Sequence, residues 1–130
     1  DLYMGERPGL IEAKMFPMFT SQGQYPGEEV IFSLTDPLGD GEEITRLVEE
    51  GFIVRTRADS GGVEPDNNDT ARFEAALSSG AHTIATDYPA PVDGMDYWIE
   101  IPGGSPSRCN PVVSPDWCTS SAVESLETSD

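Results

Sequence analysis

Basic residues are scarce in this sequence. Seven Lys and Arg stand against 24 Asp and Glu, which gives a formal net charge of −17 at pH 7. Nucleic acid is therefore a poor partner, because phosphate binding requires clustered cations and these are spread over the whole chain. The excess of acid favours solubility but makes the compact state repel itself. Such a surface suits a saline environment or a secreted protein.

Long apolar runs are missing as well. No stretch approaches the roughly 20 apolar residues that cross a bilayer. The first residues, DLYMGERPGL, lack the basic start and apolar core of a signal peptide. We therefore expect no transmembrane segment, and any secretory signal has been removed or lies elsewhere. A chain of 130 residues has the length of one ordinary domain.

Cysteine and histidine are nearly absent, with two Cys and one His. Cys109 and Cys118 lie in a Pro/Ser-rich tail without other thiols or imidazoles nearby, so a zinc site there would lack half of its ligands. A disulfide that closes a short loop is the preferred interpretation, and it predicts an oxidising compartment, secreted or periplasmic. His82 begins a predicted strand rather than ending one, and we interpret it as structural.

The sequence from Gly51 to Pro89 has a strand, loop, helix, strand pattern. The first predicted strand runs from Phe52 to Asp59, and its alternation predicts two faces. One face carries Ile53, Arg55, Arg57 and Asp59, and the other carries Phe52, Val54, Thr56 and Ala58. Buried guanidinium groups must be paired or bound to an anion, so arginines at a strand end indicate a site rather than a core.

Two helices are predicted, one before each of these strands. The first begins at Asp40, with Glu43 as the second half of a capping box, and ends at Gly51. Its apolar stripe is Ile44, Leu47 and Val48. The second helix is capped by Asn68 or Asp69 and ends at Gly80. Its apolar face is Phe73, Ala76 and Leu77, and a strand from His82 to Asp87 follows.

Two helix–Gly–strand units in succession indicate a βαβα pattern, in which the strands are parallel and joined by right-handed crossovers. In that architecture function gathers at the C-terminal ends of the strands. The residues that fall there are Arg55, Arg57, Asp59, Asp87 and Tyr88. This edge of the sheet is therefore the predicted site.

Three other segments are harder to assign. Ala13 to Phe19 is a candidate strand in which Pro17 should fall at the end, and Lys14 either faces a site or is an exposed residue. Val30 to Leu34 is interpreted as a strand outside the main sheet or as a loop packed on it. Ser60 to Asp69 lacks the ligand spacing of a calcium loop, so we interpret it as a helix cap and a solvated acidic loop.

These segments resemble the bacterial calcium-dependent phosphoinositide phospholipase C family, which belongs to the TIM-barrel phosphodiesterases. The resemblance rests on RTRAD at the end of a strand, on NDTARFEAALSSGA and on TIATDYP. TIATDYP is also similar to the final strand of glycerophosphodiester phosphodiesterases. The match is clearest from Glu42 to Pro91, returns from Ile101 to Cys118 through IPGG and RCNPV, and is weak at EAKMF.

The resemblance implies an α/β fold, the C-terminal portion of a TIM (β/α)8 barrel with parallel strands and an irregular, disulfide-closed tail. Residues 1–91 would supply the last βα units of the barrel. Residues 92–130 would form an extension with a short strand at Tyr97 to Ile101 and a flexible end past Cys118. A complete barrel needs about 250 residues. The resemblance therefore places the family's catalytic histidine pair and its calcium ligands on a separate chain or a segment outside this sequence.

By the same resemblance, the chain would be the C-terminal, substrate-recognising part of a phosphoric diester hydrolase acting on phosphoinositide-like or glycerophosphodiester substrates. Arg55 and Arg57 would bind phosphate or head-group hydroxyls, unless one of them pairs with a carboxylate. Asp59 and Asp87 would orient the arginines or bind hydroxyls, and Tyr88 would stack or hydrogen-bond at the rim. The alternative is a non-catalytic acidic binding or structural subunit of an assembly, derived from a barrel fragment.

Overall fold

The computed structural model describes residues 31–124. The elements in chain order are β1 (Ile31–Ser33), α1 (Pro37–Glu49), β2 (Ile53–Arg57), α2 (Val63–Asn67), α3 (Ala71–Ser79), β3 (Thr83–Ala85) and α4 (Ser120–Glu124). The candidate strand at Ala13 to Phe19, with Pro17 and Lys14, lies outside these residues. None of the helices in residues 31–124 has the length and hydrophobicity that a membrane span requires.

The described strands form a parallel three-stranded sheet in the order β1-β2-β3, which confirms the predicted parallel pairing. Ile31 lies opposite Ile53, and Arg55 lies opposite Thr83. The interpretation of Val30 to Leu34 as a segment outside the main sheet was wrong, because β1 pairs directly with β2. The pairing buries Phe32 and satisfies backbone groups that a loop would leave exposed.

The core lies between the sheet and α1, which packs against both β2 and α3. Its buried side chains are Phe32, Leu34, Ile44, Leu47, Val48 and Val54. The predicted stripe of α1 is confirmed by the burial of Ile44, Leu47 and Val48. The predicted alternation is confirmed within β2, where Val54 and Thr56 have no exposed surface and their neighbours are partly exposed. Each buried aliphatic side chain contributes about 1.5–3 kcal/mol through the area that it removes from water.

Helix α1 begins at Pro37 rather than at Asp40, so the predicted capping box was wrong. Proline is favoured at the first helical position, where its fixed φ fits and its missing N–H costs nothing. Asp40 lies in the first turn, with its N–H donated to the carbonyl of Asp36 at 2.8 Å. The end of the helix is as predicted: Gly51 has φ +92°, and the N–H of Phe52 donates to the carbonyl of Leu47 at 3.0 Å.

Helix α3 begins at Ala71, and its N-cap is Thr70. This cap lies one or two residues after the predicted caps, Asp69 and Asn68. Asp69 still serves this end, because its Oδ1 accepts the N–H of Ala71 at 2.9 Å. Asn68 instead ends α2 in the left-handed conformation, with φ 48°. Gly80 ends α3 as predicted, with φ +83°. The segment predicted as a loop therefore contains a short helix.

The tail is fastened to the C-terminal end of α3. Asn110 Nδ2 donates to the carbonyl of Gly80 at 2.6 Å, and Arg108 Nη2 donates to the carbonyl of Leu77 at 2.5 Å. The predicted disulfide Cys109–Cys118 is confirmed, with Sγ atoms 2.04 Å apart.

The prediction of a short strand in the tail was wrong. Tyr97 to Ile101 forms no strand, and its link to the sheet region is the N–H of Ile99, which donates to the carbonyl of Tyr88 at 2.8 Å. Tyr97 is instead buried by packing on Tyr88. Within the end expected to be flexible past Cys118, Ser120–Glu124 is helical, and Thr119 Oγ1 accepts the N–H of Ala122 in its first turn.

Candidate functional site

The C-terminal ends of β2 and β3 bring most of the predicted site residues together. β2 ends at Arg57, and the N–H of Ala58 donates to the carbonyl of Ala85 at 2.9 Å, which extends the pairing by one residue. Asp59 and Asp87 then follow from neighbouring strands at the same edge of the sheet. Parallel pairing is the reason that residues 28 apart in sequence come into contact.

Arg57 lies between two carboxylates of very different exposure. Its Nη2 is 2.8 Å from Asp87 Oδ2 and 3.4 Å from Asp59 Oδ1. The Asp59 side chain has no exposed surface, whereas that of Asp87 is 64% exposed. The Nε of Arg57 has no hydrogen-bond partner within the described residues. The guanidinium is therefore paired, while the Nε–H is buried and has no acceptor among residues 31–124.

Asp59 holds the two strand ends together. It accepts hydrogen bonds from the Thr86 hydroxyl, from the N–H of Asp87 at 3.3 Å and from Arg57. Because this carboxylate is fully buried, it orients its neighbours and does not face solvent. Of the two predicted acids, Asp87 is the one that is accessible from the surface.

Arg55 and Tyr88 flank this cluster. Arg55 lies two residues before Arg57 on the same face of β2, and its Nη1 is 3.4 Å from Ser33 Oγ. The backbone N–H of Tyr88 donates to Thr86 Oγ1 at 3.0 Å. The Tyr88 ring packs edge-on against Tyr97, with the centroids 5.3 Å apart.

Tyr97 belongs to the site region although the sequence did not identify it. Its side chain is 1% exposed, and its hydroxyl has no hydrogen-bond partner in the described part of the chain. Burial, with the nearby carboxylates of Asp59 and Glu64, raises the pKa of Tyr97 to about 12. The hydroxyl therefore stays protonated and is a donor at neutral pH. An aromatic residue at the start of an apolar stretch was the available signal.

The family assignment comes from the sequence match that spans this site. The family model described as calcium-dependent phosphoinositide phospholipase C matches residues 1–111. The chain belongs to this family. It resembles the C-terminal part of the family, as the motifs around Arg57 and Asp87 indicated. No curated protein and no solved structure gives a significant match to the chain.

In this phospholipase C family member, a second cluster, centred on the buried Glu64, joins the loops at the same edge. Glu64 accepts hydrogen bonds from Arg72 Nε and from the N–H of Ser60, both at 2.8 Å. Arg72 also reaches Asp36 Oδ1 at 3.2 Å and the carbonyl of Thr35 at 3.1 Å. The loops that follow β1 and β2 are thereby tied to α3. The acidic segment was expected to be solvated, and Glu64 departs from that expectation.

Burial and hydrogen bonding act in opposite directions on Glu64. Burial alone raises the pKa of its carboxyl group, but backbone hydrogen bonds and the Arg72 guanidinium outweigh burial and lower the pKa below its usual value. Glu64 is therefore ionised at neutral pH, which maintains the ion pair with Arg72.

His82 lies at the other end of β3. The Nδ1 of its imidazole accepts the backbone N–H of Val54 at 3.2 Å. The backbone N–H of His82 donates to the carbonyl of Val54 at 2.8 Å. These bonds join the start of β3 to β2, which accounts for this histidine in structural terms. It is far from the strand ends that carry Arg57 and Asp87.

The described residues do not fit a calcium ion. Within residues 31–124, no group of three or more His, Cys, Asp or Glu side chains is arranged to hold a metal. The family description includes calcium dependence, but no step through calcium follows from the residues of this site.

Proposed function

We propose that this chain is the C-terminal, substrate-recognising part of a phosphoric diester hydrolase that acts on phosphoinositide-like or glycerophosphodiester substrates. The observation that carries the proposal is the Arg57–Asp87 pair, exposed at the C-terminal edge of parallel strands in a chain of the phospholipase C family. In α/β sheets, ligands bind at this edge.

The residues of the proposed site have different roles in recognition. A guanidinium forks onto phosphate or hydroxyl oxygens, so Arg55 and Arg57 supply donors. Asp87 supplies an exposed acceptor for a hydroxyl, and Tyr88 contributes a ring and a polar tip at the rim. Asp59 keeps Arg57 in place. A site that combines donors and acceptors matches a head group that carries both phosphate and hydroxyls.

The rest of the catalytic machinery lies outside this chain in the proposal. The three parallel strands would be the last strands of a TIM barrel, completed by a separate chain or a further segment that carries the histidine pair and the calcium ligands. His82 is the one histidine of the sequence and is engaged with Val54. The disulfide supports a secreted or periplasmic location, since disulfides persist in oxidising compartments.

Calorimetric titration with glycerophosphoinositol tests the proposal, because this compound carries a phosphodiester and a polyol. We expect binding to the native chain and a loss of about tenfold or more in affinity for Arg57→Lys. Lysine keeps the charge but cannot form the two parallel hydrogen bonds of a guanidinium.

Arg46→Lys is the matched control. Arg46 also lies between two carboxylates, Glu43 and Glu50, but on the exposed face of α1. Its substitution should leave the affinity unchanged. Absence of binding to the native chain, or equal losses for both variants, would overturn the proposal.

A further inference from the structure

We infer that Thr86 is a positioning residue of the candidate site: its hydroxyl orients the Asp59 carboxylate, and that carboxylate fixes Arg57. The inference rests on the proposed function and deepens it, because it names a residue that determines specificity at the same site. Thr86 was not among the residues that the sequence predicted for this site. It is partly buried and lies directly between the end of β3 and Asp87.

The hydroxyl proton of Thr86 has a defined direction. Thr86 Oγ1 accepts the backbone N–H of Tyr88 at 3.0 Å, which occupies one of its two lone pairs. Its single proton is donated to Asp59 Oδ2. Because Asp59 has no exposed surface, water does not compete for this oxygen. The backbone of the loop after β3 thus holds the hydroxyl in the orientation that engages the carboxylate.

The two oxygens of Asp59 have separate partners. Oδ2 accepts the Thr86 hydroxyl, whereas Oδ1 accepts Arg57 Nη2 at 3.4 Å and the backbone N–H of Asp87 at 3.3 Å. Both distances at Oδ1 are long for hydrogen bonds, so these two contacts alone constrain the carboxylate weakly. The side-chain torsion that turns an aspartate carboxylate has broad minima, and both oxygens turn together. The bond at Oδ2 therefore sets the position of Oδ1.

The position of Oδ1 controls the spacing between a donor and an acceptor for the ligand. Arg57 supplies the donors, and the carboxylate of Asp87, which is 64% exposed, supplies the acceptor. A head group with a phosphate and hydroxyls contacts both groups at once. A phosphodiester without hydroxyls uses the guanidinium alone, because a carboxylate repels a phosphate. Thr86 should therefore affect discrimination between these two kinds of ligand more than the binding of phosphate itself.

Calorimetric titration of two Thr86 variants with glycerophosphoinositol tests the inference on the full chain. Thr86→Val has nearly the same shape but no hydroxyl, and its affinity should fall by about tenfold. Thr86→Ser keeps the hydroxyl, so its affinity should stay within about threefold of the native value. Equal affinity of the native chain and Thr86→Val, or equal losses in both variants, would overturn the inference.

Thr45→Val is the matched control, because it removes a threonine hydroxyl that has a structural role elsewhere. Thr45 Oγ1 donates to the carbonyls of Gly41 and Ser79, each at 3.0 Å, and so joins α1 to the C-terminal end of α3. This variant should lower the melting temperature but keep the native affinity for glycerophosphoinositol. If Thr45→Val and Thr86→Val lose affinity alike, the loss comes from general destabilisation, and the positioning role is contradicted.

A second ligand measures discrimination directly. Dimethyl phosphate is a phosphodiester without hydroxyls, and its weak binding is followed by NMR titration. Thr86→Val should lose less affinity for dimethyl phosphate than for glycerophosphoinositol, so that the ratio of the two affinities falls by about threefold or more. An unchanged ratio would show that Thr86 does not set the spacing between Arg57 and Asp87, and would contradict its role in specificity.

The NMR signal of the Arg57 Nε–H group in the ligand-free chain separates this inference from the proposed function. The signal should move in Thr86→Val and stay in place in Thr86→Ser and Thr45→Val. If the native chain binds glycerophosphoinositol while Thr86→Val changes neither this signal nor the affinity, the inference fails and the proposed function stands. If the signal moves in Thr86→Val but the native chain does not bind, the contact from Thr86 to Arg57 is supported and the proposed function is overturned.

Discussion

At the scale of single residues, the two acids beside Arg57 have different roles. Asp59 has no exposed surface and accepts three hydrogen bonds, whereas Asp87 is mostly exposed and has one ion pair. Removal of a buried carboxylate leaves its hydrogen-bond donors without an acceptor, whereas water takes the place of an exposed carboxylate.

Asp59→Ala should therefore lower the free energy of unfolding by about 1–3 kcal/mol, and Asp87→Ala by about 1 kcal/mol or less. Urea denaturation of the two variants measures the difference. Equal losses would contradict the assignment of Asp59 as the residue that holds the strand ends.

Tyr97→Phe should be neutral or stabilising at pH 7, because the hydroxyl is buried without a partner among the described residues. The pKa of Tyr97 is raised from 10.0 to about 12 in the folded chain. When a group has a higher pKa in the folded state, its contribution to stability is fully present below the pKa of the unfolded state. That contribution is lost as the pH rises through the pKa of the folded state. The native chain should therefore lose stability between about pH 10 and pH 12, and the variant should lose less. Thermal unfolding across this range measures both curves, and parallel curves would contradict the assignment.

The sequence predicted that Arg57, Asp59, Asp87 and Tyr88 lie near each other because parallel strands end at one edge, a rule that needs only strand positions. It did not reveal that Asp59 is buried, since alternation breaks down where a strand ends. The Glu64–Arg72 pair was missed because eight residues separate the partners across a loop that contains an unpredicted helix.

At the scale of elements, glycine ends both long helices, but the surroundings of the two glycines differ. Gly51 and Gly80 have φ +92° and +83°. A Cβ at Gly51 meets nothing within 4 Å, whereas a Cβ at Gly80 would lie 2.5 Å from Val112 Cγ2. The tail therefore packs on the end of α3 at a position that only glycine fits.

Gly51→Ala should cost about 1–2 kcal/mol of stability from the left-handed conformation alone. Gly80→Ala should cost more, by about 1 kcal/mol or more, because the tail must also move. Urea midpoints of the two variants measure this difference, and the Gly51 variant is the control. A smaller loss at Gly80 would show that the tail does not pack on α3.

Both helices α1 and α3 were predicted because their apolar spacing and terminal glycines agree. The start of α1 was placed late because Asp40 resembles a cap, although Pro37 is also a residue type favoured at the first helical position. The five residues of α2 carry too little periodicity to predict a helix.

At the scale of the whole molecule, the net charge of −17 should oppose folding through self-repulsion. Adding 1 M sodium chloride should screen this repulsion and raise stability by about 1 kcal/mol, which corresponds to several degrees in Tm. Calorimetry at low and high salt measures the shift. A fall in Tm would show that attractive ion pairs, such as Arg72 with Glu64, outweigh the repulsion.

The central claim is that Arg57 recognises a head group at the C-terminal edge of the sheet. The most direct measurement is the NMR signal of the Arg57 Nε–H group, which has no partner within the described residues. On addition of glycerophosphoinositol, the account predicts a saturable shift of this signal and of the Asp87 and Tyr88 amides, with the Arg46 signal unchanged. Shifts absent at Arg57, or equal at Arg46, would contradict it.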